Sequence, residues 1–137
     1  AMTAAETGHL VFSTLHTVGA SKTIDRIIDV FPPNQQQQIR IQLSTVLQAV
    51  VSQQLIPSAQ KGRVPAFEIM LVNNAMRNMI REAKTYQMDA AISMGKSSGM
   101  VSMDGSLAQL VREGLVTRED ALTYCVNPDV LLRLITA

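Results

Sequence analysis

One cysteine in 137 residues leaves Cys125 without a partner for an internal disulfide. A reducing, cytoplasmic setting is the simpler one for such a chain. No apolar run approaches the ~20 residues a helix needs to cross a bilayer. No basic, apolar, small-residue leader opens the sequence, so the chain reads as soluble. Neither sign of charge is in excess. The formal net charge of +1 supplies no basic field for nucleic acid and no acidic field for cationic partners.

Complete catalytic sets are also missing. Cys125 sits beside Tyr124 and far along the chain from the two histidines, His9 and His16, so no nucleophile, base and acid are grouped. Those histidines have no cysteine or third histidine nearby, and no metal site is expected. Gly95-Lys96-Ser97 imitates the end of a phosphate-binding loop, but the position that needs the loop's first glycine holds Ala90, inside a helical pattern. An ordinary helix stop explains it. Glu68 and Asp104 lack partners at a spacing that specifies acid–base work, which leaves them structural or surface roles.

What is present is one domain's worth of chain, enough to bury about two-thirds of its unfolded surface. Its organising stretch is Gly8-His9-Leu10-Val11-Phe12-Ser13-Thr14-Leu15-His16-Thr17. The apolar middle predicts a strand near 10–16, buried on both faces of a parallel sheet. Thr14, His16 and Thr17 then fall at its carboxyl end, where open α/β sheets hold their ligands.

Around that strand the punctuation is helical. Residues 1–7 read as a helix stopped by Gly8. Ser21 can cap a second helix carrying Ile24, Ile27, Ile28 and Phe31 on one face. Gln35 to Gln38 open a third, amphipathic helix instead of forming a low-complexity tract. Runs at 50–56 and 64–72, separated by the turn-rich Pro57 to Arg63, predict a hairpin that extends the sheet begun at Leu10. No strand is expected afterwards. Asn73 or Asn74, Ser102 or Asp104, Thr117 and Asn127-Pro128 are candidate starts of successive helices.

Several blocks, in order, resemble one family: the Gly8 to Thr17 stretch, Lys22 to Pro32, Leu47 to Val51 and Phe67 to Met70. Ala75-Met76-Arg77-Asn78-Met79-Ile80-Arg81-Glu82 is similar to that family's retraction motif, usually written AIRNLIRE. The family is that of the PilT-type pilus retraction ATPases, within the secretion ATPases, and the resemblance covers essentially the whole chain. It departs at Met76 and Met79, at Ala83 where glycine is common, and at Tyr86 where histidine is common.

The resemblance implies an α/β fold: the carboxyl-terminal part of a RecA-like nucleotide-binding core, residues 1–73, followed by an all-helical region, 74–137. It implies a hexameric motor that hydrolyses ATP with Mg2+ to retract type IV pili, working in the cytoplasm at the inner face of the membrane on a pilus platform protein. Gly8 to Thr17 corresponds to a histidine box that senses nucleotide, with His16, Thr14 and Thr17 as its working residues and His9 at the opposite strand end. Ala75 to Glu82 corresponds to a coupling element. The P-loop and the magnesium-holding carboxylate would lie upstream of Ala1, which leaves this piece inactive alone. The alternative is a non-enzymatic assembly module of a pilus or type II secretion machine.

Overall fold

Alternation of burial sets the centre of the fold. The computed structural model describes residues 1–137. In it, strands β1 (Ala49–Pro57) and β2 (Arg63–Leu71) pair antiparallel, with Ala49 opposite Leu71 and Pro57 opposite Arg63. Every second side chain points inward, which is the period of a half-buried strand. The expected hairpin is therefore formed. It is the whole sheet.

Helices cover the inner face. Before the hairpin come α1 (Met2–Glu6), α2 (Ala20–Asp29) and α3 (Pro33–Val46), the last with proline in its first turn. After it come α4 (Asn74–Arg81), α5 (Met88–Met94), α6 (Met103–Arg112), α7 (Arg118–Tyr124) and α8 (Pro128–Thr136). Side-chain caps start four of these late helices. Asn73 accepts from the Met76 N–H, Ser102 from Gly105, Thr117 from Asp120, and Asn127 from both Asp129 and Val130. Gly8 follows α1 with φ 92, the left-handed stop its position predicts.

Two apolar cores result. One joins α2, α3, α4 and α5 to Met70 of the sheet; the other joins α6, α7 and α8 to Ile56 and Ala66. Between them on the inner face sit Ser52 and Glu68, directly opposite each other in the hairpin register. This buried polar rung separates the two clusters.

The mixed α/β class stands, but the strand near 10–16 does not form. Residues 9–15 follow no regular element, and Leu10 and Phe12 are 85% and 89% exposed. A strand buried on both faces needs flanking strands for its N–H and C=O groups and a covering layer on each side. β1 and β2 satisfy each other, and no third strand stands beside residues 10–16. The apolar run reports a preference for burial, which here finds no partner. Nor does the hairpin extend any sheet from Leu10.

A second correction concerns α2. Its N-cap is Gly19, with no side-chain cap bond, and Ser21 lies inside the helix. The first N–H groups are taken by residues distant in sequence.

Candidate functional site

Thr17 is tied to the helix that follows it. Its hydroxyl lies 2.8 Å from that of Thr23, and Thr23 Oγ1 donates to the Gly19 carbonyl at 2.8 Å. Since Thr23 has a single hydroxyl proton, Thr17 is the donor to Thr23. His9 belongs to the other end of the segment. Its Nδ1 lies 3.2 Å from both the Ala4 carbonyl and the Thr7 hydroxyl, at the end of α1. Thr14 and His16 lie between these anchors, exposed and without a side-chain hydrogen bond. No side-chain hydrogen bond joins any two of the four residues. No group of three or more His, Cys, Asp or Glu side chains is placed to hold a metal ion.

The turn after the box is fixed from the sheet. Glu68 Oε1 accepts the Ala20 N–H at 2.8 Å, and Ser52 Oγ accepts the Gly19 N–H at 3.2 Å. Glu68 is only 3% exposed. Beside it opens a cleft of about 360 Å³, bounded by Gly19, Lys22, Gln54, Asp89 and Tyr124 among others. Gly95 to Ser98, the imitation of a phosphate loop, forms a short 3-10 helix after α5 with no strand before it. A Cβ at Gly95 would come within 2.7 Å of the Met100 sulfur, so close packing accounts for that glycine.

In the segment Ala75 to Glu82, half the residues build the fold. Met76 and Ile80 are buried in the first core and Met79 packs at its edge. Arg77 Nη1 donates to the carbonyls of Ser44 and of Thr45, the latter at 2.9 Å, in the last turn of α3. A cation on those unpaired carbonyls suits the negative end of the helix dipole. Arg81 donates to Asn78 on the surface, and Glu82 pairs with Lys84 at 2.6 Å in solvent. Such an exposed pair contributes little. Ala83, where the family commonly has glycine, sits at φ 56, a left-handed conformation that glycine adopts without cost.

Sequence reasoning left Glu68 and Asp104 with structural or surface roles by default and missed how they act. Asp104, 5% exposed, accepts the Val126 N–H at 2.8 Å and the Asn127 N–H at 3.0 Å. Burial pushes both carboxyls above their ordinary range, opposed by backbone N–H donors (Ala20 and Met103 at Glu68, Val126 and Asn127 at Asp104) and reinforced by the charge of Asp89. A carboxyl raised in the native state binds proton more readily folded than unfolded. Its stability contribution is complete below the unfolded pKa and falls as pH rises through the native one. We expect thermal unfolding followed by circular dichroism to show a smaller stability loss in Glu68→Gln than in the parent on raising pH from just above the usual carboxylate range to neutrality. Identical slopes would refute this.

Over residues 1–61 the chain matches the family model described as Type II/IV secretion system protein. It is 54% identical over 129 residues to the type IV pilus retraction ATPase PilT of Pseudomonas aeruginosa, covering 94% of this chain and 38% of that protein. To the twitching motility protein of Neisseria gonorrhoeae it is 52% identical over 130 residues, 94% of this chain and 35% of the relative. Among solved structures, that of the pilus retraction motor PilT with bound ADP superposes with a TM-score of 0.83 at 47% identity, over 96% of this chain and 37% of that one. The chain thus spans a little over a third of the length of these relatives. No helix of the structure is long and apolar enough to cross a membrane. Along nearly all its length, then, this chain is similar to pilus retraction ATPases, and over residues 1–61 it matches the type II/IV secretion system protein family.

Proposed function

We propose that these residues are the carboxyl-terminal portion of a hexameric motor that hydrolyses ATP, with Mg2+, to retract type IV pili. The carrying observation is about half identity over 94% of the chain to a retraction ATPase. In this reading the motor is cytoplasmic, sits against the inner face of the membrane, works on a pilus platform protein and binds no nucleic acid. Residues 1–73 complete a nucleotide-binding core, and residues 74–137 form the helical region that follows it.

Phosphoryl transfer to water needs a phosphate-cradling loop with its lysine, a carboxylate for the metal and charge-neutralising groups. No such set exists within residues 1–137: there is no P-loop, and no acidic cluster suited to Mg2+. What this chain offers is a sensing segment. His16, exposed and unengaged, has a ring nitrogen available to donate to or accept from a phosphate or water brought against it, with Thr14 and Thr17 alongside. His9, tied to α1, orients the start of that segment. Ala75 to Glu82 couples the first core to subunit movement.

Phosphate release tests the reading. The 137-residue chain alone is expected to give none. A longer protein carrying the upstream half turns over, and His16→Ala in it lowers turnover by about tenfold or more, as loss of a well-placed polar group does. Turnover by the chain alone, or a fully active His16→Ala, contradicts it. An inactive longer protein would favour the assembly-module reading.

A further inference from the structure

We infer that Ser52 and Glu68, one cross-strand rung of the hairpin, are positioning residues for the histidine-box segment: they hold the backbone of Gly19 and Ala20 and thereby fix where Thr17 and His16 stand. This rests on the reading above, that residues 14–17 face nucleotide.

A carboxylate 3% exposed needs a reason, because burying a charged group is costly unless it is well paired. Simple sheet stability does not supply one. An apolar side chain opposite Ser52 would join the two cores without a polar break. What the rung does instead is receive two consecutive backbone N–H groups from another element, Gly19 on Ser52 Oγ and Ala20 on Glu68 Oε1. Gly19 stands at φ 93, and a Cβ there would lie 3.8 Å from Glu68 Oε1, so the turn is specialised in conformation where it meets the rung. The Gly19 carbonyl is taken by Thr23, whose hydroxyl is taken in turn by Thr17.

The chain from Thr17 to Thr23 is therefore tied on both its donor and acceptor sides. Immediately before it, residues 10–16 have no regular structure and His16 has no partner. Thr17 is the last fixed point before His16, and the rung supplies the fixing. A displacement of about 1 Å in a group that must meet a reacting phosphate is enough to cost up to about a hundredfold in turnover.

Ser52→Ala, Glu68→Gln, Glu68→Ala, Thr85→Ala and His16→Ala in the longer, ATP-hydrolysing protein test this. Thr85 is the comparator: buried, it donates to the Asp25 carboxylate at 2.9 Å and also secures α2, but away from the box. Glu68→Ala is expected to lower kcat about tenfold or more while KM for ATP moves by less than about threefold, the pattern of a lost turnover interaction. Glu68→Gln, which keeps an oxygen for the Ala20 N–H, recovers kcat to within about threefold, and Ser52→Ala lowers it about threefold. Thr85→Ala lowers the melting temperature without lowering kcat below it.

Should Glu68→Ala fail to fold, Ser52→Ala against Thr85→Ala at matched melting temperature decides the matter. Equal kcat in that pair overturns the inference. Loss of kcat in His16→Ala without loss in either rung variant overturns the rung's role alone. An unaffected His16→Ala overturns the nucleotide-facing reading and the rung's role with it.

Discussion

Ile80→Ala is expected to destabilise the chain by about 2–5 kcal/mol, whereas Asn78→Ala, two residues away in the same motif, changes stability by less than about 0.5 kcal/mol. Ile80 is fully buried in the core formed with Ile24, Ile28, Met76, Met88 and Ile92. Removing three carbons there forfeits transfer free energy and leaves a cavity that neighbours on four helices cannot all collapse into. Asn78 is exposed, and its side chain hydrogen-bonds with Arg81. Urea titrations would give the two values, with an unchanged slope showing that the difference lies in native stability. Equal effects would mean that α4 is not seated as described. Loss at Met76 or Ile80 follows from lost packing, whereas Asn78, Arg81 and Glu82 contribute little to it.

The same distinction explains what could be read in advance. Helix starts were legible because their chemistry is local: Asn73, Ser102, Thr117 and Asn127 each cap a backbone N–H two or three residues ahead. The hairpin was legible for the same reason, since two β-compatible runs flank a turn-rich link. The strand through Val11 and Phe12 failed because its signal was burial alone, and burial depends on what else is present to pair with it. The likeness to a retraction ATPase and this strand are separate matters: 54% identity over 94% of the chain carries the first whether or not the second finds neighbours.

Glu68 shows the converse limit. Its bond to Ala20 spans 48 positions, and no spacing rule connects a strand carboxylate to the first N–H of a distant helix. The one available hint was an acid at an inward position of an alternating strand, beside Ala66 and Met70. An acid there is charged among apolar neighbours unless it finds a donor. Ser21 was the obvious local cap for α2, and the fold used the sheet instead.

Asp104 carries a second large effect, because it is the polar tie between α6 and the link joining α7 to α8. Its two oxygens accept the N–H groups of Val126 and Asn127, and Asp104→Ala leaves both donors without a protein acceptor. Hydrogen bonds to a charged group contribute about 1.5–3 kcal/mol each, and burial has already eroded part of that here, since this carboxyl is raised above its usual range. The expected loss is about 2–4 kcal/mol, well above the ~1 kcal/mol of losing the Thr117 cap on α7. Asp104→Asn keeps one oxygen but turns an NH2 toward the other donor, so it recovers no more than half of the loss. The weakening should also be local. Asp104 sits against the second core, with Leu107, Ala121 and Leu131 nearby in that cluster, while Ile24 and Ile80 belong to the first. Native-state hydrogen exchange of Asp104→Ala is accordingly expected to speed at amides of residues 118–136 before those of α2 and α4, since cooperative units open separately when their cores are separate. Uniform acceleration across both regions would show instead that the rung of Ser52 and Glu68 welds the two clusters into one cooperative body.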